Sequence, residues 1–109
     1  MVERLFRVVF SRKSIKRLKN IGEYYKENAS DETAKKVRLG IVTEAKKLKR
    51  YPESNPLMPG TEDVDYKVRY TKTWSYKIIY RIFPTKFIVR ILTIRHDKQD
   101  RDKILEDLE

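Results

Sequence analysis

The chain has 109 residues, of which 39% are hydrophobic and 39% charged, and its formal net charge is +10. That length suits one domain over residues 1–109 with a modest core, to which seven Tyr and four Phe bring large buriable surfaces. The lack of cysteine excludes a disulfide framework and thiolate metal sites, while the positive charge calls for a polyanionic partner such as nucleic acid, the ribosome or an acidic protein tail.

The segment Met1 to Arg7 carries Glu3, Arg4 and Arg7 among its apolar residues, so it does not read as a signal peptide. No apolar run approaches membrane-spanning length. A cytoplasmic protein with no membrane partner is expected. Arg4 to Phe10 is short, β-branched and aromatic, and predicts a strand. Ser11 caps a helix over residues 12–28, where Ile15, Leu18, Ile21 and Tyr25 recur at helical spacing. Ser30 caps a second helix. Asp31 and Glu32 stand in its first turn, where negative charge suits the helix dipole. Its stripe is Ala34, Val37, Ile41, Ala45 and Leu48, and Pro52 ends it. The short break between the two helices predicts an antiparallel hairpin.

Residues 51–62 hold Pro52, Pro56, Pro59 and Gly60 and read as loop. Three strands follow: Tyr66 to Tyr70, Tyr76 to Phe83, and Lys86 to Arg95 after a Pro84-Thr85 turn. Trp74 lies in the turn before Tyr76 and is a candidate partner contact. A last helix over about residues 100–108 carries Ile104, Leu105 and Leu108, expected to dock on the sheet. The order β-α-α-β-β-β-α predicts an α+β fold, a helical hairpin packed on one face of an antiparallel sheet.

Strand parity then selects candidate residues. With Tyr66, Val68 and Tyr70 aligned with Tyr76, Ile78 and Tyr80 toward the hairpin, Lys67, Arg69 and Lys77 fall together on the opposite, open face, and Arg81 extends the row. Such a face can bind a phosphate backbone. A solvated antiparallel face also carries Lys and Arg, but it ordinarily mixes signs, and no Asp or Glu occurs between Tyr66 and Arg95. His96, the one histidine, follows the last strand and has the chemistry of a general acid or base. It has no second His and no Cys with which to hold a metal, so no metal or other cofactor is expected. Tyr70, Tyr76 and Tyr80 have the flat rings of base-stacking residues, but their period-two placement assigns them to the core.

The layout resembles that of the RelE/ParE superfamily of toxins. The segments Tyr66-Lys67-Val68-Arg69-Tyr70, Tyr76 to Ile82 and Ile91 to His96 are similar to its central and last strands, and Tyr51-Pro52-Glu53 to its hairpin exit. The resemblance covers nearly the whole chain. It implies the toxin of a type II toxin-antitoxin module, silenced by a cognate antitoxin. RelE-like members enter the ribosomal A site and cut mRNA, and ParE-like members inhibit DNA gyrase. For the nuclease branch it implies catalytic roles for Lys67, Arg69, Lys77 and His96, with cations stabilising the phosphorane and His96 moving a proton. Arg81, Arg95 and Lys98 would add phosphate contacts. Two features depart from RelE-like enzymes: no Tyr follows Tyr80, and Asp97 stands near where a cation is often found. The expectation favours a metal-independent, ribosome-dependent mRNA endonuclease. A non-catalytic gyrase inhibitor is the alternative, and an RNA-binding module without catalysis a further one.

Overall fold

The structure, a computed structural model, describes residues 4–98 and 101–108. Its elements are β1 (Arg7–Phe10), α1 (Arg12–Asn28), α2 (Asp31–Lys46), β2 (Arg69–Thr73), β3 (Tyr76–Phe83), β4 (Ile88–His96) and α3 (Arg101–Leu108). Both predicted caps are in place. Ser11 Oγ accepts the Ser14 N–H at 3.1 Å, and Ser30 Oγ accepts the Thr33 N–H at 3.1 Å. Each satisfies an amide that a helix start would otherwise leave unpaired. Ser11 also donates to the Leu92 carbonyl at 2.8 Å, tying the start of α1 to β4.

The fold is the expected α+β arrangement, with strand order β1-β4-β3-β2. The sheet is mixed rather than wholly antiparallel, because β1 runs parallel to β4, pairing Arg7 with Ile88 and Phe10 with Ile91. The connection between them, which includes the helical hairpin, β2 and β3, is long enough to return the chain for a parallel pairing. Val37, Ile41, Ala45 and Leu48 pack with Ile21 against Tyr76, Ile78, Tyr80, Val89, Ile91 and Ile94 to form the main core.

The opposite face is not open. Met58, Val68, Ile79 and Ile104 form a second core, with Tyr66, Tyr70, Leu92 and Leu108 packed around it. Its cover comes from the loop after the hairpin and from α3. A β-bulge assists. Ile78 pairs with Ile94 and Ile79 with Thr93, but Tyr80 pairs with Ile91, leaving Leu92 as the extra residue. Leu92 packs into the second core and Thr93 reaches α3, while Ile91 and Ile94 stay under the hairpin. Among the described residues, no helix is long and apolar enough to cross a membrane.

Candidate functional site

The register of β2 corrects the predicted parity. β2 starts at Arg69, so Lys67 lies in the loop before it. Residues around Val68 bond outward rather than to β3: the Met58 N–H donates to the Val68 carbonyl at 2.7 Å and the Tyr70 N–H to the Pro56 carbonyl at 3.2 Å. Arg69 pairs with Tyr80, Tyr70 with Ile79, and Lys72 with Lys77. Cross-strand partners share a face. Arg69 therefore stands on the hairpin side, and Lys77 on the α3 side with its ammonium 5.5 Å from the Tyr70 ring centre. Tyr66, Val68 and Tyr70 serve the second core, not the main one.

His96 lies at the far end of β4. It pairs with Tyr76 on the hairpin side, and the two rings meet edge-on with centres 5.6 Å apart. Its Nδ1 accepts the Lys98 backbone N–H at 3.1 Å and stands 3.5 Å from Asp97 Oδ1. Burial, then a hydrogen bond with Tyr25, pushes the Tyr76 phenol above its ordinary range, so it stays neutral. Lys98 is exposed.

Arg95, paired with Lys77, is engaged elsewhere. Its Nε and Nη2 donate to the two oxygens of Asp107 at 2.6 and 3.0 Å. Arg17 Nη2 donates to the same carboxylate at 2.8 Å, and the Thr93 hydroxyl donates to it at 2.7 Å. Burial alone would raise the pKa of Asp107. Hydrogen bonds from Arg17, Arg95 and Thr93, with the charge of Arg95, overcome burial and hold it well below the usual carboxylate range. This group locks α3 to α1 and β4. Strand parity gives no sign of this group, but the sequence carries one signal: Asp107 falls between Ile104 and Leu108 on the apolar stripe of α3.

Three of the predicted cations do come together at the other end of the sheet. Arg81 to Phe83 of β3 extend past the start of β2, and beside them opens a cavity of about 880 Å³. Lys67, Arg69 and Arg81 line it, with Arg4, Glu53, Tyr51, Tyr66 and Phe87. The guanidiniums are held in place: Arg81 lies 4.0 Å from the Tyr66 ring centre and 4.4 Å from that of Phe83, Arg4 lies 4.2 Å from that of Phe87, and Arg69 Nη1 donates to the Asn55 carbonyl at 2.6 Å. Two bulky residues at the cavity, Tyr51 (φ 49°) and Phe87 (φ 52°), adopt left-handed backbone. That conformation costs roughly 1–2 kcal/mol for such residues and persists where the surroundings enforce it. Below the rim, the buried Tyr80 hydroxyl donates to the Pro52 carbonyl. Of the cavity's lining, sequence reading had marked Lys67, Arg69 and Arg81, while Arg4, Glu53 and Phe87 carried no periodic signal. Among the described residues, no group of three or more His, Asp or Glu side chains is placed to hold a metal.

A helical hairpin on a four-stranded mixed sheet is the fold that this chain shares with RelE/ParE toxins. The chain is similar to the structure of the chromosomal ParDE toxin-antitoxin system of P. aeruginosa (21% identity, TM-score 0.69, covering 84% of this chain and 96% of that one). It is also similar to the RelBE2 toxin-antitoxin complex of Mycobacterium tuberculosis (19%, 0.62, 85% and 92%) and to a mutant of the E. coli toxin RelE in the free state (13%, 0.62, 95% and 94%). No curated protein matches the sequence. The model of the ParE toxin of type II toxin-antitoxin systems matches residues 8–101. The chain belongs to this ParE toxin family.

Proposed function

We propose that this toxin arrests growth by binding and inhibiting DNA gyrase, without cutting RNA, and that a cognate antitoxin neutralises it. One observation carries the reading: the residues assigned to cleavage are dispersed. Lys67 and Arg69 border the cavity at one end of the sheet, Lys77 faces α3, and His96 stands beside Tyr76 on the hairpin side. Transesterification needs base, acid and charge-stabilising groups around one phosphate. The ParE family match supports the same reading. In a supercoiling assay the purified chain is expected to block gyrase, and Lys77→Ala and His96→Ala to block it equally well. In a reconstituted translation reaction mRNA is expected to remain intact. Ribosome-dependent cuts within codons, abolished by Lys77→Ala and His96→Ala, would overturn the proposal.

A second reading, mRNA cleavage, has its own supporting observation: Lys67, Arg69 and Arg81 share a cavity in a stretch without acidic residues. The same translation assay decides between the two.

A further inference from the structure

The cavity past the start of β2 gathers cationic chemistry in one concave place. Arg4, Lys67, Arg69 and Arg81 converge there with one carboxylate, Glu53. None of the four makes an ion pair among the described residues. Like charges gathered in a concave site repel one another and focus a positive field. Arg4 and Arg81 are fixed against aromatic rings and Arg69 against a backbone carbonyl. A guanidinium stacked through its face still presents its N–H edge, the geometry that grips phosphate oxygens in pairs. Tyr51, which also lines the cavity, is 63% exposed.

We propose that this cavity binds a nucleoside di- or triphosphate, its phosphates on Arg4, Lys67, Arg69 and Arg81 and its base on Tyr51. Four cations against one carboxylate leave about three positive charges, which matches the charge of a di- or triphosphate. The cavity volume of about 880 Å³ lies within the range of about 300–1,000 Å³ typical of small-molecule sites. An acidic peptide spreads its charges along an extended backbone, whereas a polyphosphate concentrates them in one place, as the cavity does. The flat ring beside the cations suits a base, which stacks on aromatics without regard to sequence. The inference goes beyond the gyrase reading and stands or falls without it.

The test is calorimetric titration of the purified chain with ATP, GTP, tripolyphosphate, a Glu-rich peptide and a single-stranded RNA 12-mer. Saturable binding of one ATP or GTP per chain is expected. Arg81→Ala and Lys67→Ala should each weaken it at least about tenfold. Tyr51→Ala should weaken ATP by about tenfold and leave tripolyphosphate unchanged. Lys36→Ala, which removes an equal charge from α2, should change nothing. Should Arg81→Ala misfold, the exposed Lys67 serves in its place. No saturable nucleotide binding below millimolar concentration would overturn the proposal. So would tripolyphosphate or the peptide binding as tightly as ATP, or binding seen with the RNA alone.

Discussion

Replacing Asp107 by Asn tests how α3 is held. The carboxylate is 2% exposed and accepts hydrogen bonds from Arg17, Arg95 and Thr93, with Lys13 Nζ 3.9 Å away. Asn keeps the size and one acceptor oxygen but places an NH2 against a guanidinium. Removing one partner of a buried ion pair costs about 3–5 kcal/mol. Arg17 remains 25% exposed and Arg95 12%, so water recovers part of the loss and about 3 kcal/mol is expected. A loss of that size lowers Tm by at least about 10 °C in a chain this small. The pH dependence has a definite sign. Asp107 titrates below its ordinary value in the folded state, so its contribution is complete above that value and disappears as pH falls toward the folded one. The gap in stability between wild type and Asp107→Asn should therefore stay constant from pH 7 to 5 and begin to narrow, progressively, below about pH 4. Thermal unfolding across pH, with hydrogen exchange of the α3 amides, measures both. An unchanged Tm at pH 7 with undiminished α3 protection would refute the reasoning.

Three further outcomes are expected. Tyr80→Phe leaves the Pro52 carbonyl without its buried donor and should cost about 1–3 kcal/mol in urea unfolding. Ser30→Ala removes an exposed cap and should cost about 1 kcal/mol; Ser11→Ala also severs the bond to Leu92 and should approach about 2 kcal/mol. A Cβ at Gly40 would come within 2.5 Å of Trp74 Nε1. Gly40→Ala should therefore displace the chain's one tryptophan and shift its emission, while helix propensity holds the change in stability to about 1 kcal/mol or less.

The elements with complete local signals were legible in the sequence. α1 occupies residues 12–28 as predicted, because Ser11 caps it and its apolar spacing is uninterrupted, and β3 occupies its predicted residues. β2 was not legible. Tyr66, Val68 and Tyr70 alternate correctly for a strand, but alternation cannot say which of two covered faces the apolar set serves. The answer depends on Met58 and Pro56, ten or more residues away, bonding to this segment. The error carried into the site: Lys67 and Arg69 kept company with Arg81 at the cavity, whereas Lys77 and His96 did not. The parallel placement of β1 was equally hidden, since its pairing is long-range and leaves no local trace.

That parallel pairing has a consequence for timing. Arg7 meets Ile88 and Phe10 meets Ile91, so β1, the first of the four strands, gains a strand neighbour only when β4, the last of them, is in place. Closing so long a loop is entropically costly, and contacts of this separation form slowly. Until β4 is in place, the hairpin can cover only the β2–β3 pair and β1 has no edge to join. The four-stranded sheet of each nascent chain is therefore completed only when β4 joins β1 and β3 at once, on its two edges.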